Sequence, residues 1–465
     1  MTAAGGTSAP APTTGFGTFV VVWIGQSVSL IGSTLSGFAL GIYVYRLTGS
    51  ATTLGLVFAL ALLPAILASP IAGALVDRWG SRRALLVSNA GSMIVTSLLA
   101  LLLFTDNFAV WQVYVVVAVM SVMASLEVPA FAALVPRLVP RRHLGRANGM
   151  RMFGLAASEV LAPVAGGFLL LAVDIHGIVL IDLSSFALAL ITLLAARLPR
   201  IPRDTATRPG GVGALLAEFR VGWQYIVARR GLLALVLFFC AVNFSAGFID
   251  LLISPLVLSF APPDTLGMVL SFGGVGMIIS SVVVSVWGGP KHRVRGILGF
   301  SLVLGVAVVI GASRPDAVLV AVAAFAFMGS LGVVITTSQG IWQTKVDPRL
   351  LGRVSAVLNM VASAPQVVAY AVAGLAVDRV FEPLVGHDEV RSPALAAVIG
   401  DGPGRGIALL MMIMGGLIAV SVVVAATNPR LRRLETEIPD AVSDSEDDRG
   451  SETTPLSALA GPEKT

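Results

Sequence analysis

Four acidic residues stand inside long apolar runs: Glu127, Glu159, Asp182 and Asp250. A charged side chain at the centre of a bilayer costs roughly 2.5–3.5 kcal/mol on insertion scales, so such residues are functional candidates by default. Low dielectric favours the neutral form of a carboxyl. A group poised between its two forms at membrane depth suits binding a proton in one state and releasing it in another. Each acid also has a plainer reading. Glu127 precedes Val128-Pro129 and can serve a bent helix, while Glu159 sits among Ala156, Ala157 and Ser158. Asp182 lies a few residues from the end of its run, within reach of water. Asp250 shares a helix face with Asn243, and Phe244 and Phe248 are near.

Neutral polar residues recur at helical spacing beside these acids. Gln26, Ser29 and Ser33 fall on one face, as do Thr336, Gln339 and Gln343, and again Asn359, Ser363 and Gln366. Such stripes line a cavity or bond a neighbouring helix, and spacing alone does not choose. Met411, Met412 and Met414 read as packing or lipid-facing filler.

The elements that must hold these residues follow from composition. Of 465 residues 56% are hydrophobic and only 12% charged, and the mean hydropathy is +0.90. Soluble domains are nearer 25% charged, so an ordinary soluble enzyme is excluded. One cysteine, Cys240, excludes a disulfide scaffold. Apolar runs long enough to cross a bilayer recur at about 16–45, 52–76, 84–104, 109–136, 147–173 and 177–198. A second set lies at about 231–258, 264–287, 294–312, 317–344, 354–377 and 404–426. None shows the alternation of a barrel strand. The expected fold is an all-α membrane protein of twelve transmembrane helices in two pseudo-symmetric six-helix lobes, residues 16–198 and 230–427.

Between the lobes, residues 199–229 read as a linker carrying an interfacial amphipathic helix, with Leu215, Leu216, Phe219, Trp223, Ile226 and Val227 on its apolar side. Residues 1–15 are low in complexity and lack the basic n-region of a signal peptide. Past Leu434 nine acidic residues face only Arg449 and Lys464. That leaves a tail of −7 and a body of +12, so residues 428–465 read as an acidic disordered tail.

The basic surplus is not evenly spread. Arg78, Arg82 and Arg83, then Arg137, Arg141, Arg142 and Arg146, then the stretch Arg197 to Arg230, all fall in alternate loops of the first half. Lys291, Arg293 and Arg295, with Lys345, Arg349 and Arg353, do the same in the second. The opposite loops hold only Arg46, Arg314, Arg379, Arg391 and Arg405. The positive-inside rule then predicts cytoplasmic termini in a plasma-membrane protein.

The halves echo one another. Leu144-Gly145-Arg146 recurs as Leu351-Gly352-Arg353, and Gly80-Ser81-Arg82-Arg83 is echoed by Gly289-Pro290-Lys291-His292-Arg293. Matching offsets at matching positions indicate a six-plus-six duplication, the plan of transporters with a site between the halves. The run into the first of these turns carries Gly73-x-x-x-Asp77-Arg78-x-Gly80-x-Arg82-Arg83. Gly73 and Asp77 share a helix face, a small residue there admits a neighbouring helix, and the acid can cap or pair at the contact.

This string resembles the loop 2–3 signature of the major facilitator superfamily, with Ser81 where the family usually carries a basic residue. The resemblance extends over about residues 16–430 in span count, repeat and loop charge. It implies a cytoplasmic gate built from Gly73, Asp77, Arg78, Gly80, Arg82 and Arg83. A second string, Gly374-Leu-Ala-Val-Asp378-Arg379, mimics it on the opposite side without the Gly-x-Arg-Arg that should follow, and reads as a chance echo. Ala162-Pro163-Val164-Ala165-Gly166-Gly167 resembles an element of drug–proton antiporters, with Ala162 and Ser158 replacing two glycines. Trp23-Ile-Gly-Gln26-Ser27, Val139-Pro140 and Leu144-Gly-Arg146-Ala-Asn148-Gly149 are similar to the branch with macrolide-efflux and siderophore-export permeases. The arginine that many such antiporters carry deep in the fourth span is missing here.

The resemblance implies a secondary transporter, coupled to protons, that exports a small amphipathic compound by alternating access. A siderophore exporter and a lysophospholipid flippase are alternatives on the same fold. A multipass membrane enzyme would need acid, base or metal-binding residues clustered at one interface, and a sensor would use the acidic tail as its output. No phosphate loop signals ATP hydrolysis. His143, His176, His292 and His387 lie far apart in loops, so no metal or other cofactor is expected. The basic loops carry no nucleic-acid module. The expected partners are a small-molecule substrate, protons and the lipid bilayer, with the chain a monomer.

Overall fold

The computed structural model describes residues 16–140, 143–196, 212–347, 350–385 and 403–437. The first lobe is α1 (Phe16–Thr48), α2 (Ala51–Trp79), α3 (Ser81–Phe104), α4 (Val110–Leu138), α5 (Leu144–Ala172) and α6 (Asp174–Ala195). After α7 (Val212–Ala228) come α8 (Arg230–Leu258), α9 (Pro263–Trp287), α10 (Arg293–Ser313), α11 (Ala317–Lys345) and α12 (Leu351–Ala376). The chain then passes through a π-helical turn, Val377–Phe381, into α13 (Glu382–Val385). The last span, α14 (Arg405–Thr427), leads to the short α15 (Pro429–Arg432) and α16 (Leu434–Glu437). Twelve of these helices are long and apolar enough to cross a membrane. Helices are the outcome because a chain in lipid must satisfy every backbone group internally.

The duplication is visible in the packing. In the first lobe α1 packs on α5 and α6, and α4 on α2 and α3; in the second, α8 packs on α12 and α14, and α11 on α9 and α10. Gly80 (φ 83°) turns α2 into α3, and Gly288 (φ 80°) ends α9 at the equivalent turn. Both need the left-handed backbone that glycine adopts without steric cost. The lobes meet through α5 against α9 and α2 against α12, the two contacts that a pseudo-two-fold exchanges.

Call the end of the bundle that holds Phe16 and Thr427 the terminal face, and the other the far face. The buried apolar clusters divide along this line. One terminal-face cluster draws only on residues up to Ala196, the other only on residues from Phe219 onward. Toward the far face the clusters are shared: Ala51, Leu54 and Ala59 pack with Leu251, Ala369 and Ala373, and Leu35 and Ala162 with Val257 and Leu266. Among the described residues, the apolar clusters join the lobes at the far face and stay separate at the terminal one.

Two segments beyond the twelve spans dock on the second lobe. The linker helix α7, expected at the membrane interface, packs its apolar side there. Ile226 is fully buried in the second lobe, Phe219 and Trp223 pack beside it, and Gly222 sits against Val357 and the Arg353 carbonyl of α12. Residues 428–437, grouped above with the acidic tail, fold as two helical turns docked on the second lobe. There Glu435 accepts the Val294 amide at 2.6 Å, and Lys345 donates to the Glu435 carbonyl at 2.8 Å. Glu435 thus caps the amino end of α10, where a negative charge is favoured. Residues 1–15, 199–211 and 438–465, to which the remaining tail and linker expectations refer, lie outside the described residues.

Candidate functional site

The first lobe holds a cavity of about 260 Å³ walled by α1, α3, α4 and α6, with Ala61 of α2. Two of the four candidate acids, Glu127 and Asp182, line it together with Ser29, Ser33, Ser36, Ser92, Thr96 and Ser121. Asp182 does not reach water as its sequence position suggested. The helix begins at Asp174, earlier than the apolar run implied, which sets Asp182 two turns inside, and its exposure is 1%. Ser33 Oγ donates to its Oδ1 at 3.3 Å and Ser185 Oγ lies 3.4 Å from the same oxygen. Gly32 of α1 faces this pair, and a side chain there would strike Ser185.

The cavity also depends on a repair in α2. Pro64 has no amide hydrogen, and its ring opens the helical ladder. Ser121 of α4 fills the gap: its Oγ donates to the Ala61 carbonyl at 2.7 Å and accepts from the Ala65 amide at 3.0 Å. A hydroxyl from a neighbouring helix is how lipid-embedded helices satisfy such freed groups.

The second lobe holds the pseudo-equivalent cavity, about 90 Å³, between α8, α9, α10, α11 and α14. Its character is opposite. Phe327, Met328 and Met411 stand on the helices that match those carrying Glu127 and Asp182, and Asp250 is its one acid among the described residues. Met411 and Met414 are buried core. Asp250 is exposed at its position in α8 and accepts a hydrogen bond from Tyr370 Oη of α12. Gln366 Nε2 donates to the same hydroxyl at 2.8 Å. The Tyr370 ring stands edge-on to Phe58 of α2, centroids 5.4 Å apart, so this polar chain touches the other lobe.

The other candidates are scattered. Gln26 is buried at 4% exposure and accepts from Asn89 Nδ2 at 3.4 Å, tying α1 to α3. Asn243 is half-buried on α8, while Gln339, Gln343 and Asn359 are exposed on α11 and α12 in the terminal half. Glu159 lies within α5 and Asp77 within α2; their side chains are outside the described residues. Asn89 escaped the sequence reading. Its stripe with Ser92 and Thr96 on α3 follows the same three-and-four spacing that marked Gln26 and Ser29, and was the available signal.

The glycine-rich strings divide by face. On the terminal face, Arg82 of the α2–α3 turn donates to the Leu193 and Leu194 carbonyls at 3.5 and 3.3 Å, at the carboxy end of α6. Arg78 and Arg83 are exposed. A side chain at Gly73 would meet nothing within 4 Å, as at Gly145, Gly149 and Gly352. On the far face the glycines are pressed. Gly167 packs on the Pro263 carbonyl and Gly267 on that of Pro163, while Gly166 lies under Phe38. Ser271 Oγ donates to the Val160 carbonyl at 2.7 Å across the same contact. Gly55 meets the Tyr370 carbonyl, and Gly374 meets the backbone of Ala51 and Thr52. The Gly374 string, read above as an echo of the α2 motif, packs directly on the other lobe.

Comparison with known proteins follows the same lines. Residues 22–370 match the Major Facilitator Superfamily. Macrolide efflux protein A of Streptococcus pyogenes is 26% identical over 368 residues, 78% of this chain and 90% of the relative. Multidrug resistance protein MdtG of Klebsiella pneumoniae (strain 342) is 33% identical over 154 residues, 32% of this chain and 36% of that protein. Among solved structures, a POT family transporter in complex with 5-aminolevulinic acid covers 88% of this chain and 95% of its own, with TM-score 0.68 and 12% identity. A bacterial homolog of the human lysosomal transporter Spinster, solved inward-facing and unoccupied, covers 88% and 95% with TM-score 0.64 and 14% identity. At such identities the structures speak for the fold alone. With the family match spanning most of its length and twelve membrane-length helices in two like lobes, this chain is a transporter-fold protein that belongs to the Major Facilitator Superfamily.

Proposed function

We propose that this chain is a proton-coupled exporter of a small amphipathic compound, working by alternating access. The observation that carries the reading is the unlike pair of cavities. The cavity of one lobe is lined by two carboxyls among hydroxyls, and the pseudo-equivalent space in the other is apolar with a single acid at its edge. A duplicated fold that had only to pack would have no reason to keep two acids at membrane depth in one copy.

The basic residues cluster on the terminal face, which the positive-inside rule assigns to the cytoplasm of a plasma-membrane protein. The conformation is then inward-facing. A compound enters from the cytoplasm and meets Asp250, Tyr370 and Gln366, with the contact between Tyr370 and Phe58 closing the way to the far face. Charge matching to Asp250 favours a cationic or neutral amphipath over an anion. The lobes rock to open the far face and the compound leaves. Protons from outside neutralise the carboxyls, which lowers the cost of returning through an occluded state. Their release inside resets the cycle. The macrolide efflux relative supports efflux as the direction and an amphipathic compound as cargo.

The test is uptake into inverted proteoliposomes under an imposed pH gradient, using a radiolabelled macrolide and a fluorescent amphipathic cation as probes. Gradient-driven accumulation of either, lost on adding a protonophore, is the expected result. Equal accumulation with the gradient collapsed would refute the coupling.

A further inference from the structure

The amino end of α2 carries amides that no helical carbonyl can satisfy. Its own N-cap, Ser50, takes one: the Ser50 Oγ accepts from the Thr53 amide at 3.2 Å. Those of Ala51 and Thr52 are taken by the opposite lobe. Asp378 Oδ1 accepts from the Ala51 amide at 3.1 Å, and Oδ2 accepts from the Thr52 amide at 2.9 Å and from the Ser50 hydroxyl at 2.7 Å. One carboxylate thus receives three hydrogen bonds from a single helix start, at the end where the helix dipole favours an anion. Charge-assisted bonds of this kind are the strong ones.

Two features bring the carboxylate there. Gly374, one turn earlier, lets α12 lie against the backbone of Ala51 and Thr52, where any side chain would collide. The π-helical turn Val377–Phe381 then widens the helix at Asp378 itself, a distortion common at working sites. Four residues separate Gly374 from Asp378, as they separate Gly73 from Asp77. The same α12 carries Tyr370, bonded to Asp250, about 12 Å below at the helical rise.

We infer that Asp378 is the far-face latch of the transport cycle: it holds the lobes closed there while the terminal face is open, and must let go of α2 each time the far face opens. The inference rests on the alternating-access cycle proposed above. Asp378 is a positioning residue, since nothing places it against the cargo. Its effect is on the balance between the two open states. Binding from the terminal face is weakened in proportion as that state is depopulated.

The experiment measures the distance between spin labels at Leu47→Cys and Leu384→Cys, in a Cys240→Ser background in lipid nanodiscs. These positions are 55% and 56% exposed at the far ends of α1 and α13, one in each lobe. The parent protein is expected to give mainly one short distance. Asp378→Ala should raise the ratio of long to short distances by roughly tenfold or more, the scale of losing charged hydrogen bonds. Asp378→Asn, which keeps an acceptor and loses the charge, should fall between. Arg379→Ala, an exposed neighbour in the same turn, should leave the distribution unchanged. The affinity for a radiolabelled macrolide added from the terminal side should weaken in step with the long-distance fraction. Should Asp378→Ala not fold, Ser50→Ala with Asp378→Asn gives the same readout. An Asp378→Ala distribution identical to the parent overturns the latch, whatever the transport assays show. An opened far face in a protein that moves no tested compound leaves the latch standing and sinks the exporter reading.

Discussion

The Tyr370 hydroxyl donates to the Asp250 carboxylate while the Tyr370 ring rests edge-on against Phe58, so one residue of α12 joins the acid of α8 to the opposite lobe. The acid and the closed far face thus share one residue, Tyr370. A change in the charge of Asp250 alters the bond that holds α12, the helix on which the second lobe meets α2.

Removing only the hydroxyl tests that connection. Tyr370→Phe keeps the ring on Phe58 and deletes the donor to Asp250. Hydrogen bonds to charged groups contribute about 1.5–3 kcal/mol, so transport turnover in proteoliposomes should fall by roughly tenfold or more with normal expression. Turnover within twofold of wild type would separate Asp250 from the gate.

The two Gly-x-x-x-Asp strings should respond oppositely to bulk. Gly73→Leu enters open space in this conformation, so thermal unfolding should move by less than about 0.5 kcal/mol. Transport should nevertheless stop, because in the proposed cycle the terminal face closes on Gly73. Gly374→Leu collides with Ala51 and Thr52 and should lower the unfolding temperature, or open the far face to a membrane-impermeant thiol reagent at Leu47→Cys. Equal behaviour of the two variants in both assays would contradict the assignment of the faces.

Ser121 offers a stability test apart from transport. Ser121→Ala strips the partner from the Ala65 amide and the Ala61 carbonyl beside Pro64. An unsatisfied buried group costs about 1–3 kcal/mol, and unfolding monitored in detergent should show a loss of that order. Pro64→Ala in the same background restores the helical ladder and should recover most of it.

Much of this was legible in the sequence, for physical reasons that differ by feature. The twelve spans were readable because a bilayer demands about 20 apolar residues of each, and the lobes because the duplicated turns kept Gly80 and Gly289 in register. Glu127 and Asp250 stood out because charge at membrane depth is rare. That Glu127 and Asp182 share one cavity was not legible, since it depends on how α4 and α6 rotate about their axes. The contact of Asp378 with α2 is hidden in the sequence for a related cause. The Asp378 string has the spacing of the α2 motif without the following turn, and its partner lies 326 residues away in sequence, brought near only when the lobes dock. Glu435 was hidden among tail acids of identical type, and only folding shows that it caps α10.

The most direct test of proton-coupled export compares two assays on Asp182→Asn and Glu127→Gln. One is accumulation of a macrolide driven by an imposed pH gradient; the other is exchange of the same macrolide at equal pH on both sides. Exchange needs the lobes to rock but no net proton movement. At least one of the two variants is expected to keep exchange near the wild-type rate and lose gradient-driven accumulation. If both variants accumulate the macrolide as wild type does, the cavity of the first lobe is not where protons are coupled.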